Sequence, residues 1–388
     1  MYDITIKMYW GDSMKIEKVD LKRLNMPLKA PFETSFGRLT FKDFMVVSVH
    51  GDGFTGYGES VSLPFPVYNE ETTGTVSYML EEFLIPQLLD NEINTPEDVS
   101  TLFHPIRRNN MAKAAIEGAV WDLFAKQKGI TLAEALGGNK QEIDVGVSIG
   151  IEPSIEEVLS KVERFISEGY KKIKIKIKPG FDVEVIRAIR EKFGDDVPLM
   201  ADANSAYTLE DIEIIKALDE FNLMMIEQPL AHDDIIDHSL LQREISTPIC
   251  LDESIHSVED ARKAIELGSC KIINIKTGRV GGLTEAKKVH DLCADKGIPV
   301  WCGGMLEAGI GRAHNIALTS LTNFTIPGDT SASDRYWEVD IVEPEVKLSA
   351  PGMLVVPSTP GIGYNINEEV LKSFVIESKS FYSKLTHK

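Results

Sequence analysis

The chain has 388 residues, 43% of them hydrophobic and 26% charged, which suits a soluble globular protein with room for a barrel and a smaller domain. Its 60 acidic against 41 basic residues leave a net charge of −19, which argues against nucleic acid, since a phosphate backbone calls for a basic face. No apolar run is long enough to span a membrane, the start lacks the order of a signal peptide, and the four cysteines (Cys250, Cys270, Cys293, Cys302) make no short ligand spacing. A cytoplasmic protein with reduced thiols and no zinc site is expected.

Residues 1–13 read as an extension. From 14 to 138 the pattern is α+β: strand-like runs at 14–24 and 43–50 precede helical stretches at 71–89, 96–103 and 111–128. From 139 to 345 short β-rich runs recur, at 143–149, 171–178, 197–204, 223–229, 248–254, 271–277, 299–305 and 324–329. Amphipathic segments lie between them, at 155–168, 183–193, 209–220, 258–267 and 284–296. Eight strands alternating with helices predict an α/β fold closed into a (β/α)8-type barrel. An open doubly wound sheet would carry a glycine-rich phosphate turn after its first strand, and none is present. The tail, 346–388, holds turn residues and a predicted helix at 368–385. It is expected to return to the N-terminal region, so that both chain ends build an α+β capping domain.

Ionisable residues end five successive strands. The second ends in Lys174 and Lys176, the third in Asp202, the fourth in Glu227, the fifth in Asp252 and the sixth in Lys276. Separations of 26, 25, 25 and 24 residues from Lys176 onward match one βα unit each, which places the set at the C-terminal rim where barrel enzymes do their chemistry. A lone carboxylate at a strand end is more often a helix cap or a solvated loop residue. Three in register repel unless something neutralises them. A divalent cation would do so, and oxygen-only ligands favour Mg²⁺ or Mn²⁺. A purely structural ion-pair ring with the lysines is the plainer alternative.

In the run 172–178 lysines alternate with isoleucines, so all four lysines share one face. On an edge strand that face would be solvated. In a barrel strand helices cover the outer face, so the isoleucines belong outside and the lysines inside, with Lys172 and Lys178 only paired or solvated. Together these groups suit removal of a proton α to a carboxylate. A metal stabilises the enediolate charge, and a lysine with a depressed pKa acts as base. Lys174 and the metal would depress Lys176, and Lys276 would reach the substrate carbon from across the mouth.

These residues resemble the enolase superfamily in its muconate-lactonizing branch. That branch has a Lys-x-Lys on the second strand, carboxylates on the third to fifth and a lysine on the sixth. Ala201-Asp202-Ala203-Asn204, Ile226-Glu227-Gln228-Pro229 and Leu251-Asp252-Glu253-Ser254 extend the likeness over nearly the whole chain from Met14. Gly303-Gly304-Met305-Leu306-Glu307 with Gly311-Arg312 resembles the o-succinylbenzoate synthases, including those that are also N-acylamino acid racemases. The resemblance implies Mg²⁺ on Asp202, Glu227 and Asp252, Lys176 as base and Lys174 as its tuner. Lys276 would stabilise the enediolate in the dehydration that leads to menaquinone, or serve the second face in racemisation. It further implies a small-molecule carboxylate substrate lined by Ser148, Asn204, Gly304 and Met305. Capping loops at 31–37 and 60–68 would close over it with Phe32, Leu63 and Tyr68, and the assembly would be a homo-oligomer. Mandelate-type racemases need a histidine acting with an aspartate in the later strands, whereas the sixth strand here ends in Lys276. Dipeptide epimerases carry an Asp-x-Asp where this chain reads Pro327-Gly328-Asp329-Thr330-Ser331. Muconate cycloisomerases fit the Gly303–Glu307 run less well. A non-catalytic binding protein would have no need of the whole charged set.

Overall fold

The computed structural model describes residues 14–34 and 37–384; the expected extension, 1–13, lies outside them. Strand β1 (Lys18–Thr34) pairs antiparallel with β2 (Gly37–Gly51), and β3 (Phe54–Glu59) extends the sheet. Both faces of this sheet are used. Val19 and Leu21 of β1 pack with the helices of the cap, whereas Leu24 and Met26 face a second cluster with Trp337 and Ile341 of the barrel side. Met14, the expected start of the first strand, makes only an isolated bridge to Ile93.

The helical stretch expected at 71–89 runs as α1 (Thr73–Met79), a π-helical turn (Leu80–Leu84) and α2 (Ile85–Leu89), capped by Thr72. Helix α3 (Pro96–Phe103) follows, then the long α4 (Asn110–Lys128) and the short α5 (Leu132–Leu136). Helix α4 lies so close over β3 that a Cβ at Gly56 or Gly58 would collide with the carbonyls of Ala119 and Ala115.

Strand β4 (Glu142–Asp144) is separate from the first barrel strand, β5 (Val147–Ile149), so the run expected at 143–149 is two elements. Then come α6 (Ile155–Ser167), β6 (Ile173–Lys176), α7 (Val183–Phe193), β7 (Leu199–Asp202), α8 (Ile212–Ala217) and β8 (Ile226–Glu227). The alternation continues through α9 (Ile236–Glu244), β9 (Ile249–Leu251), α10 (Val258–Leu267), β10 (Ile272–Ile275), α11 (Thr277–Val280), α12 (Leu283–Asp295), β11 (Val300–Cys302) and α13 (Gly309–Thr319). Strands β5 to β11 form one parallel sheet in chain order. The eighth run, 324–329, is not a regular strand. Pro327 lacks a donor, and the segment closes the barrel by single bridges, Phe324 to Val300 and Gly328 to Val145. The fold is a (β/α)8-type barrel with an N-terminal cap.

Isoleucines 173, 175 and 177 join the outer core against the helices, while Met200, Met225, Cys250 and Trp301 pack inside the barrel. The tail departs from expectation in its secondary structure. Strand β12 (Val342–Glu343) pairs with β14 (Asn365–Ile366), and β13 (Met353–Val355) pairs with β4. Among the described residues, only α14 (Glu368–Phe374) of the expected 368–385 helix forms. Val375–Tyr382 is β15, antiparallel to β1. The β-branched pair Val375-Ile376 and the open edge of β1 outweigh the local helical pattern. Among the described residues no helix is long and apolar enough to cross a membrane.

Candidate active site

Parallel register brings the charged strand ends together. Ser148 pairs with Lys174, Lys176 with Asp202, and Asp202 with Glu227. Asp252 sits one residue beyond β9 and Lys276 one beyond β10. All six charged side chains are buried.

Their contacts are ionic. Lys176 Nζ donates to Asp202 Oδ2 at 2.6 Å and to Asn204 Oδ1 at 2.5 Å. Lys174 Nζ lies 3.3 Å from Asp202, 3.1 Å from Glu227 and 2.5 Å from Asp329. Lys276 Nζ is 2.7 Å from Asp252 Oδ2 and 3.2 Å from the Tyr68 hydroxyl, which itself donates to Asp252 Oδ1. Lys172 is fully buried, 3.0 Å from Asp329 and over the Trp301 ring.

Burial pulls the Lys176 ammonium below its ordinary value; Asp202 opposes this and Lys174 adds to it. Burial also works against Lys174, but Asp329, Glu227 and Asp202 outweigh it and hold that lysine well above the ordinary range. Lys276 is likewise held up against burial, by Tyr68 and Glu253. Burial and then the neighbouring Asp202 raise Glu227, a direct mark of crowded anions.

Asp202, Glu227 and Asp252 offer only oxygen donors, the chemistry of a hard divalent cation. Among the described residues no three His, Cys, Asp or Glu side chains converge closely enough to hold a metal as they stand. Lys174 lies across the oxygens of Asp202 and Glu227, and Lys276 lies on Asp252. The donor set therefore fits a cation, provided the lysine ammonium groups swing off the oxygens toward substrate.

Above these groups is a cavity of about 60 Å³. All seven residues expected to touch substrate (Ser148, Asn204, Gly304, Met305, Phe32, Leu63 and Tyr68) lie on its wall, as do Lys174, Lys176 and Lys276. Sequence reasoning missed four further members. Asn274 donates to Glu227 Oε1 at 2.7 Å, and Arg279 pairs with Asp252 while donating to the carbonyls of Ile255 and Asn274. Glu253 accepts from Asn204 Nδ2 at 2.8 Å, and Asp329 holds both Lys172 and Lys174. Asn274 lies two residues before Lys276, so period-two alternation along β10 points it inward and was the available signal.

A capped barrel with three buried carboxylates and three buried lysines at its mouth defines a class: enzymes that take protons from carbon beside a carboxylate. Residues 17–137 match the mandelate racemase / muconate lactonizing enzyme N-terminal domain, and residues 157–370 match the enolase C-terminal domain-like family. The chain is 58% identical over 375 residues to the o-succinylbenzoate synthase of Geobacillus kaustophilus, covering 96% of this chain and 100% of that one. It is 50% identical over 353 residues to the N-succinylamino acid racemase of Thermus thermophilus, covering 91% and 95%. A crystal structure of an enolase-superfamily member from Listeria innocua superposes with a TM-score of 0.92 at 45% identity, over 96% of this chain and 100% of that one. The chain is an enzyme of the enolase superfamily, in its mandelate racemase / muconate lactonizing branch, whose members generally use Mg²⁺.

Proposed function

We propose that this enzyme is an o-succinylbenzoate synthase, which dehydrates 2-succinyl-6-hydroxy-2,4-cyclohexadiene-1-carboxylate. The observation that carries this reading is the convergence of Lys176 and Lys276, from strand ends four places apart in the sheet, on one cavity, each ion-paired to a buried carboxylate, Asp202 and Asp252. The synthases among its relatives at 51–58% identity support it.

Asp202, Glu227 and Asp252 would hold Mg²⁺, with Mn²⁺ as a substitute. When bound, the ion would stabilise negative charge as it develops on the substrate carboxylate. Lys176 takes the proton from the carbon beside that carboxylate; its burial favours the neutral form a base requires. The proton then returns from Lys176 to the departing hydroxyl, and water leaves as the ring becomes aromatic. Lys276 remains a cation facing the developing charge, and Lys174 keeps a positive charge beside Lys176. The cavity is smaller than a typical small-molecule site, so the cap residues Phe32, Leu63 and Tyr68 must part to admit substrate and then shield it from water.

A second activity shares the first step. With Lys176 on one face of the carbon and Lys276 on the other, reprotonation from Lys276 would make the enzyme an N-succinylamino acid racemase, the activity named for two relatives at 50% and 49% identity. The four cysteines are free and buried, which supports a reducing, cytoplasmic setting.

Two assays on one Mg²⁺-loaded preparation test the proposal. One follows dehydration by ultraviolet absorbance and the other deuterium uptake from D₂O into N-succinyl amino acids. Dehydration much faster than exchange is the expected result. Fast exchange with slow dehydration would make the enzyme a racemase, and the absence of both would remove the proposal.

A further inference from the structure

Beside the barrel mouth lies a second concavity that the chemistry above does not use. It is a groove of about 560 Å³ between Lys29 and Ala30 of the cap, helix α6 and residues 332–335. Its charged walls carry Lys29, Lys161, Arg164, Arg335 and Lys347 against Glu168 and Asp334. In a chain where acids outnumber bases 60 to 41, a groove with five cations and two carboxylates reverses the sign of the whole surface.

Not all of that charge is available. Lys161 is 2.5 Å from Glu152 and Arg164 is 3.5 Å from Glu168, whereas Lys347, 3.9 Å from Glu345 at the edge of ion-pair range, is held too loosely to be withdrawn. Among the described residues, Lys29 and Arg335 have no carboxylate within ion-pair distance.

Arg335 is the distinctive group. Its Nη2 donates to the Ser148 carbonyl at 2.9 Å, and its Nε is buried without a hydrogen-bond partner. The guanidinium sits among aromatic rings, 4.9 Å from the Tyr336 centroid, 5.5 Å from Phe165 and 6.0 Å from Phe32. A guanidinium carries five N–H donors in a rigid fork that matches the two oxygens of a carboxylate or phosphate. Here the fork is anchored by its bond to the Ser148 carbonyl, and only part of it is used by the protein. Ser148 and Phe32 also line the active-site cavity, so Arg335 stands in the wall between groove and site.

We propose that this groove binds a small, multiply charged oxyanion, a phosphate or a dicarboxylate, through Arg335 with Lys29 and Lys347. The bound anion competes for the donor that now holds the Ser148 carbonyl, so its binding is felt in the neighbouring cavity.

The test is calorimetric titration of the full-length, Mg²⁺-loaded protein with inorganic phosphate and, separately, with succinate. At least one binds saturably in the millimolar range or tighter. The Lys29→Ala/Lys347→Ala double variant weakens it about tenfold while leaving turnover without added anion unchanged. Both lysines are exposed, so the variant keeps the fold. Binding of phosphate alone assigns a phosphate ligand, of succinate alone a dicarboxylate, and of both a general oxyanion site. Binding that the double variant leaves intact places the anion elsewhere, in the active site for instance, and overturns the proposal. So does the absence of saturable binding by either probe.

Discussion

The protein buries carboxylates in two regions and neutralises them differently. Along the helices of the cap and its seam with the barrel, they sit on backbone N–H groups at helix starts. Glu117 of α4 accepts from Leu283 and Thr284 at the start of α12, at 2.8 and 2.9 Å. Glu59 accepts from Ala308 and Gly311 at the start of α13, with Lys42 alongside, and Glu71 accepts from Met111 and Ala112 in α4. Gly282 adopts φ +128°, and a side chain there would strike Glu117. At the barrel mouth, by contrast, Asp202, Glu227 and Asp252 rest on lysine and arginine side chains. Backbone donors cannot leave their carboxylates without unwinding a helix, so that neutralisation is permanent. A lysine can swing on its four-carbon stem, so neutralisation at the mouth can be handed to a metal or a substrate. One pattern locks two domains together. The other keeps charge exchangeable.

Substitutions should separate the two patterns. The largest effect is expected at the mouth, where Lys176→Ala should lower kcat about 10³-fold while leaving the melting temperature of the Mg²⁺-loaded enzyme, in which the cation takes over the neutralisation of Asp202, nearly unchanged. If the rate survives, Lys176 is no base and the mouth is only another structural cluster. Next comes the seam. Glu117→Ala strands the N–H groups of Leu283 and Thr284 and leaves the indole of Trp121 only its bond to the Thr284 hydroxyl, and should cost about 3 kcal/mol in denaturant unfolding. Turnover of the remaining folded protein should stay close to wild type; a collapse of kcat without lost stability would contradict a purely structural role for Glu117. Third, Mg²⁺ at a hundred times its Kd should stabilise the wild type by about 2.7 kcal/mol. Asp252→Asn should lose most of that increment, whereas Glu117→Gln should retain it.

The mouth was the more legible region in the sequence. Its residues recur at one βα unit, and the Lys/Ile alternation of 172–178 has a single sensible orientation once a barrel is assumed. What stayed hidden depends on partners distant in the chain. Glu117 reads as an ordinary helix position because its partners lie more than 160 residues away. Residues 375–382 carry apolar positions loosely compatible with a helix, and only the open edge of β1, at the other end of the chain, makes them a strand. The run at 54–59 went unread because its two glycines weaken a strand pattern; they are there because α4 crosses too closely for side chains. Arg279 falls just outside the periodic positions, and Asp329, though it ends the eighth run, declares its role only through the lysines it meets.

The smallest effect gives the finest test of the seam. Burial pushes the Glu117 carboxyl up to about 6 from an ordinary 4.5, against the hydrogen bonds from Thr284, Leu283 and Trp121 that favour ionisation. Between those values the folded protein holds a proton that the unfolded chain has released. Stability from this group is therefore complete below about pH 4.5 and declines as pH rises through 6, by about 2 kcal/mol in all. Glu71, pushed to about 7, changes in the same direction, and His314, lowered to about 4 by burial, in the opposite one. The raw profile of the wild type therefore mixes signs. Subtracting the unfolding free energies of Glu117→Gln at each pH cancels the other two groups. The wild-type advantage should shrink steadily from pH 4.5 to 7. A flat difference would mean that the helix start compensates Glu117 fully for its burial, and the seam would then be as well neutralised as water itself.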